Sequence, residues 1–134
     1  MKHRREYGFS LLEMVIAVII MGIALTPLLN FFAESATRAV SAEMLGVAHF
    51  LAIDKAEEIL CDRHSPTRGL SYITSGYADD EPRPGYNRTV AVQEVSSQDL
   101  ETPTAGSGFY RCVVTVTCSG GDTEVSFVVC ETGS

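Results

Sequence analysis

Residues Phe9 to Phe32 form an apolar run of 24 residues that contains one charged side chain, Glu13, and a basic octapeptide precedes it. No other feature of the chain limits its fold so strongly. As a helix the run spans roughly 36 Å, enough to cross a hydrocarbon core of about 30 Å. The 134-residue chain otherwise has room for one small domain. The leader Met1–Gly8 holds Lys2, Arg4 and Arg5 against Glu6, whereas Glu34 and a single early cation, Arg38, follow the run. The excess of positive charge before the span predicts a cytoplasmic N-terminus and a C-terminal domain on the far side of the membrane.

An ordinary secretory signal peptide is the competing reading, with Ala33-Glu34-Ser35 before Ala36 as its cleavage site. The chain would then be a secreted or membrane-tethered periplasmic binding module. Against this, the run is longer than a usual signal core and holds a carboxylate near its start. A glutamate inside a span costs up to about 3 kcal/mol at the centre and less near an end, so its presence points to function. Composition narrows the classes further. A net charge of −7 argues against a nucleic-acid binder. With 46% hydrophobic and 20% charged residues, the chain is not a disordered tail.

Gly8-Phe9-Ser10-Leu11-Leu12-Glu13, set between a basic leader and an apolar helix, resembles the cleavage site of type IV prepilins and type II secretion pseudopilins. The resemblance covers Gly8 to about Leu29 and rests on a specific motif. It implies that a prepilin peptidase cuts between Gly8 and Phe9 on the cytoplasmic side and methylates the new amine of Phe9. It also implies that Glu13 serves assembly, neutralising the terminal amine of a neighbouring subunit. A buried charge with one specific partner acts as a register device, which fits that role. The implied protein is a structural subunit, a minor pilin or minor pseudopilin, and not an enzyme. It would sit singly spanning the bacterial inner membrane before entering a filament. Its partners would be the peptidase, other pilins or pseudopilins, an inner-membrane assembly platform and membrane lipid, with no nucleic acid and no cofactor.

The implied fold is α+β, a long N-terminal helix packed by its second half against a small antiparallel sheet. Four segments follow: a leader at 1–8, a transmembrane assembly helix at 9–32, an amphipathic continuation at 33–62, and a loop with a β-sheet head at 63–134. Gly22 and Pro27 interrupt the span, and Pro27 lacks the donor for the Ile23 carbonyl, so a helix break or kink is expected there. The family's proline falls where Asn30 stands here.

Beyond the span, Val40, Met44, Val47 and Leu51 keep helical spacing, and Ala48, Ala52, Ala56 and Ile59 continue the apolar stripe. The helix is predicted to stop near Asp62, ahead of Pro66. From Phe9 to Cys61 it would measure roughly 80 Å. Residues 63–85 are rich in turn formers and read as a connection with a short element near Leu70–Thr74. Tyr86–Val95, Phe109–Cys118 and Thr123–Cys130 read as strands, and Ser96–Ser107 as a turn-rich link. A two-residue loop at Gly120-Gly121 would pair Val116 with Val125, Val114 with Phe127 and Cys112 with Val129. All of these share one face with Tyr110, which should pack on the Val40–Ile59 stripe.

Four cysteines, Cys61, Cys112, Cys118 and Cys130, fit an oxidising compartment. Cys112 and Cys118 lie roughly 20 Å apart on one strand, too far to bond. A bridge from Cys61 to Cys112 or Cys118 is one reading, and isolated thiols are the other. Cys61 and His64 lack the second closely spaced pair that a zinc site needs. Asp79-Asp80-Glu81 reads as a solvated acidic loop, and His49 and His64 form no nucleophile–base set.

Overall fold

A computed structural model describes residues 10–130. The elements are α1 (Leu11–His64), α2 (Gly69–Thr74), β1 (Asp80–Arg83), β2 (Tyr86–Val95), β3 (Phe109–Cys118) and β4 (Gly121–Cys130). The chain divides between Ala39 and Val40 into two compact units. The first is helical, and every residue from Ser10 to Ala39 is exposed. The second holds the rest of α1, the short α2 and one antiparallel sheet of order β1-β2-β3-β4. The architecture is α+β, a long N-terminal helix whose later turns lie on a four-stranded sheet.

The core of the second unit follows from two periodicities. On α1, Ala48, Ala52 and Ala56 recur every fourth residue and lead to Ile59, all buried. On the sheet, Cys112, Val114 and Val116 alternate along β3 and meet Val125, Phe127 and Val129 of β4 on the same face. Ile73 of α2 completes the cluster. The alanines are short, so the helix can approach the β-branched surface closely. The expected stripe begins later than its pattern suggests, because Val40 is exposed.

The β3–β4 hairpin corrects one expectation. Its loop is Ser119-Gly120, not Gly120-Gly121, so Val116 pairs with Thr123, Val114 with Val125 and Cys112 with Phe127. The slip is two residues, an even number, and the predicted set of side chains therefore stays on the core face. The reason lies at the glycines. A Cβ on Gly120 would sit 3.0 Å from the Ser41 carbonyl oxygen and 3.1 Å from the Met44 Cβ, so this glycine serves close approach to α1. Gly121, with φ +131°, opens β4 and pairs with Cys118.

A second correction is β1, which the turn-rich reading of residues 63–85 left out. Pro82 cannot donate to a sheet ladder, but an edge strand tolerates it. Pro84 and Gly85 (φ +84°) then make a tight turn that returns the chain as β2, with Arg83 opposite Tyr86. β2 and β3 match their predicted bounds, and α2 falls on the short predicted element. α1 ends two residues later than expected.

Candidate functional site

The N-terminal constellation begins at Gly8 and Phe9, which lie outside the described residues. Ser10 precedes α1, and its carbonyl accepts from the backbone N–H groups of Glu13 (3.0 Å) and Met14 (3.2 Å). Glu13 therefore sits in the first turn, where the helix dipole favours an anion by about 0.3–1 kcal/mol. Its carboxylate is exposed and joins no ion pair among the described residues. Around and beyond it, Leu11, Leu12, Ile16, Ile20, Ile23 and Leu29 are all exposed. The helix is long and apolar enough to cross a membrane, and no part of its most apolar stretch is buried by protein. Phe31 and Phe32 meet edge to face at 6.3 Å where the run ends. The Glu34–Arg38 ion pair (2.6 Å) opens the polar stretch that follows.

The expected break at Gly22 and Pro27 does not occur, because α1 passes through both without interruption. Pro27 removes one donor from a helix of 54 residues, and the turns on either side hold their own bonds. The Thr26 hydroxyl leans toward the Gly22 carbonyl at 3.5 Å.

The candidate disulfide is also absent. Cys61, Cys112, Cys118 and Cys130 are all free. Cys61 is exposed on the last turns of α1, while Cys112 is sealed in the core between sheet and helix, and burial raises its thiol pKa to about 11. The Cys118 thiol donates to the Gly121 carbonyl instead (3.3 Å).

Two polar knots escaped the sequence reading. Arg88 is buried on the core face of β2 and forks onto Asp80, with Nε to Oδ1 at 2.9 Å and Nη2 to Oδ2 at 2.5 Å. Its third nitrogen, Nη1, donates to the Leu51 carbonyl of α1 at 3.2 Å and lies 3.8 Å from the Asp54 carboxylate. One guanidinium thus ties an edge strand, the sheet and the helix together, and the hydrogen bond from Arg88 holds the Asp80 carboxyl below its ordinary range. The available signal was parity, since Arg88 falls in step with Tyr86, Val90 and Val92 and must point inward. At the end of α1, buried Asp62 accepts from Arg68 (2.8 Å) and from the Tyr77 hydroxyl (3.1 Å). Burial and that bond to Asp62 push the Tyr77 phenol upward.

The acidic loop is likewise spent on structure. Asp80 serves Arg88, and Glu81 accepts from the Gly85 N–H at 2.8 Å. His49 is exposed on α1, and the His64 Nδ1 bonds the Leu60 carbonyl at 2.9 Å. The structure does not bring these groups into one site.

The family model for the prokaryotic N-terminal methylation motif matches residues 3–29. No curated protein and no solved structure matches the chain. The matched stretch contains Gly8, Phe9, Glu13, Gly22 and Pro27, and such a motif is the hallmark of type IV pilin and pseudopilin precursors.

Proposed function

We propose that this chain, which carries a prokaryotic N-terminal methylation motif, is the precursor of a structural subunit of a type IV pilus or type II secretion pseudopilus. A prepilin peptidase would cut between Gly8 and Phe9, removing a leader of net charge +2, and methylate the Phe9 amine. The anchored form spans the inner membrane once, N-terminus inside, and the sheet-bearing unit stands in the periplasm. An assembly platform then moves the subunit into a filament, where it takes the place of a minor pilin or minor pseudopilin among other such subunits.

One observation carries this reading. The motif at residues 3–29 leads into a helix whose apolar surface has no protein cover, and Glu13 is the single charge in the run. A lone carboxylate in lipid needs a positive partner, and the amine exposed by cleavage, four residues ahead, supplies the right chemistry. In a filament that amine belongs to the next subunit, so the pair sets the axial register.

N-terminal sequencing and mass measurement of the exported protein test the reading. A mature chain beginning with N-methylated Phe9 is expected. A start at Ala36, or a chain that keeps Met1–Gly8, refutes it and favours a secreted or tethered module. Glu13→Val should leave cleavage intact and reduce incorporation into filaments. Wild-type incorporation would remove the register role.

A further inference from the structure

The two edges of the sheet differ. β1 is four residues long, carries Pro82 and pairs with β2 through a register shift between Asp80 and Arg83, all of which blunt an edge. β4 has none of these devices. It runs for ten residues in unbroken register with β3 and contains no proline, lysine or arginine. Its hairpin closes on the Cys118–Gly121 pair, and from there the bonding of an antiparallel ladder alternates. Thr123, Val125, Phe127 and Val129 therefore bond β3, whereas the N–H and C=O groups of Asp122, Glu124, Ser126 and Val128 point away from it. The Cys130 carbonyl has the same phase, and it accepts from Arg63 at 2.8 Å. Among the described residues, nothing bonds the outward backbone groups of the other four.

The side chains along this edge choose the occupant. Val125 and Phe127 pack on the core yet stay half-buried, so apolar side chains from a fifth strand would extend that face. On the outer face Asp122 and Glu124 are exposed, and their partners on β3 are Thr117 and Thr115. Neither acid joins an ion pair among the described residues. Such acids repel another acidic edge and attract a cationic one. At the far end Arg111 shares an open hollow of about 180 Å³ with Asp99 and Glu101, so that end carries both signs of charge and selects neither. We propose that the β4 edge takes up an extended segment of a different protein as an antiparallel fifth strand. In its own chain order that segment carries two apolar residues, two positions apart, opposite Phe127 and Val125. Lys or Arg follows opposite Glu124, and a second one opposite Asp122. Another copy of this chain supplies no such strand. β4 has two acids and no cation, and Lys2-His3-Arg4, which holds the chain's only cations two positions apart, has a single residue before it.

The probe is a synthetic seven-residue peptide, Thr-Val-Thr-Val-Lys-Thr-Lys, added to the full-length chain in detergent micelles, with amide hydrogen exchange read by NMR. At saturating peptide, exchange at Glu124, Ser126 and Val128 should slow about tenfold or more, whereas Val125 and Phe127, already in the ladder, should change little. An N-methyl group on the second threonine of the peptide, which faces Ser126, should abolish the effect. One on the second valine, whose N–H points away from β4, should preserve it. Asp122→Lys with Glu124→Lys should weaken binding about tenfold, and a peptide with glutamate in place of both lysines should bind that double variant instead. No slowing, slowing spread evenly along β4, or a response indifferent to charge reversal overturns the proposal. So does slowing at the same amides without peptide that grows with protein concentration, since a second copy would then be the occupant. Cleavage of the leader leaves this edge unchanged, so N-terminal sequencing tests the filament reading separately.

Discussion

Between Leu11 and Phe32, leucine, isoleucine, methionine and phenylalanine side chains stand exposed all round the helix. Between Ala48 and Ile59 on the same helix, the buried positions are three alanines and one isoleucine. The most apolar stretch of the helix thus contributes nothing to the protein core, and on α1 three of the four apolar residues that line it are alanines. The first stretch is long and apolar enough to cross a membrane, and lipid rewards apolar area on every side and asks for no complementary shape. The second meets a pleated sheet, which rewards close approach and a fit between small and branched side chains. Hydrophobicity says that a surface leaves water, and the shape of the side chains says what replaces the water.

Core truncation separates the two stretches most strongly. Ile59→Ala should destabilise the sheet-bearing unit by about 2–5 kcal/mol, because it opens a cavity under β3 and β4. Ile20→Ala should shift the same thermal transition by less than about 0.5 kcal/mol. Melting of both full-length variants in detergent, followed by circular dichroism, makes the comparison. An equal loss in both would show that the first stretch supports the core after all.

Arg88→Met probes the buried knot that holds β1 and α1 to the sheet. Removing the fork should cost about 2 kcal/mol, since half-exposed Asp80 can regain water. Hydrogen exchange should quicken first at Asp80–Arg83. Acid should mimic the variant. Asp80 has a lowered carboxyl pKa in the fold, so its contribution is present above the ordinary range near pH 4 and is lost as pH falls through the folded value.

Gly120→Ala should cost about 1–3 kcal/mol, because the added methyl meets the backbone of α1 at Ser41. Gly46→Ala, on the outer face of the same helix where space is open, should be neutral or slightly stabilising through helix propensity. Equilibrium denaturation of the pair checks whether the glycines serve the core or the outer face.

The smallest effect concerns Cys112. Its pKa is raised to about 11 by burial, so the fold favours the neutral thiol. That stability is complete below pH 9 and is lost as pH rises through about 11. Between pH 8 and 10, wild type should lose melting temperature faster than Cys112→Val. Parallel losses would show that the thiolate of Cys112 is solvated in the fold.

Much of the fold was legible because its signals are local. The 24-residue run, the alternation in β2 and β3 and the alanine spacing on α1 each depend on neighbours within a few residues. The candidate site was legible for the same reason, as a contiguous motif around Gly8 and Glu13. What the sequence hid depends on contacts distant along the chain. Pro82 reads as a breaker until β2 offers it an edge. A bridge from Cys61 to Cys112 or Cys118 stays an open reading beside isolated thiols until Cys61 lies on the surface and Cys112 in the core.

The sequence by itself determined the membrane-length helix, the methylation motif, the strand parity and hence which side chains face inward. Parity survived a two-residue error in register because it depends only on alternation along the strand. The tertiary structure decided the hairpin register, the continuity of α1 through Pro27, the fork of Arg88 onto Asp80 and the free edge of β4. Each of these depends on how closely one backbone approaches another, or on how many bonds surround a local defect. No window of neighbouring residues carries those quantities.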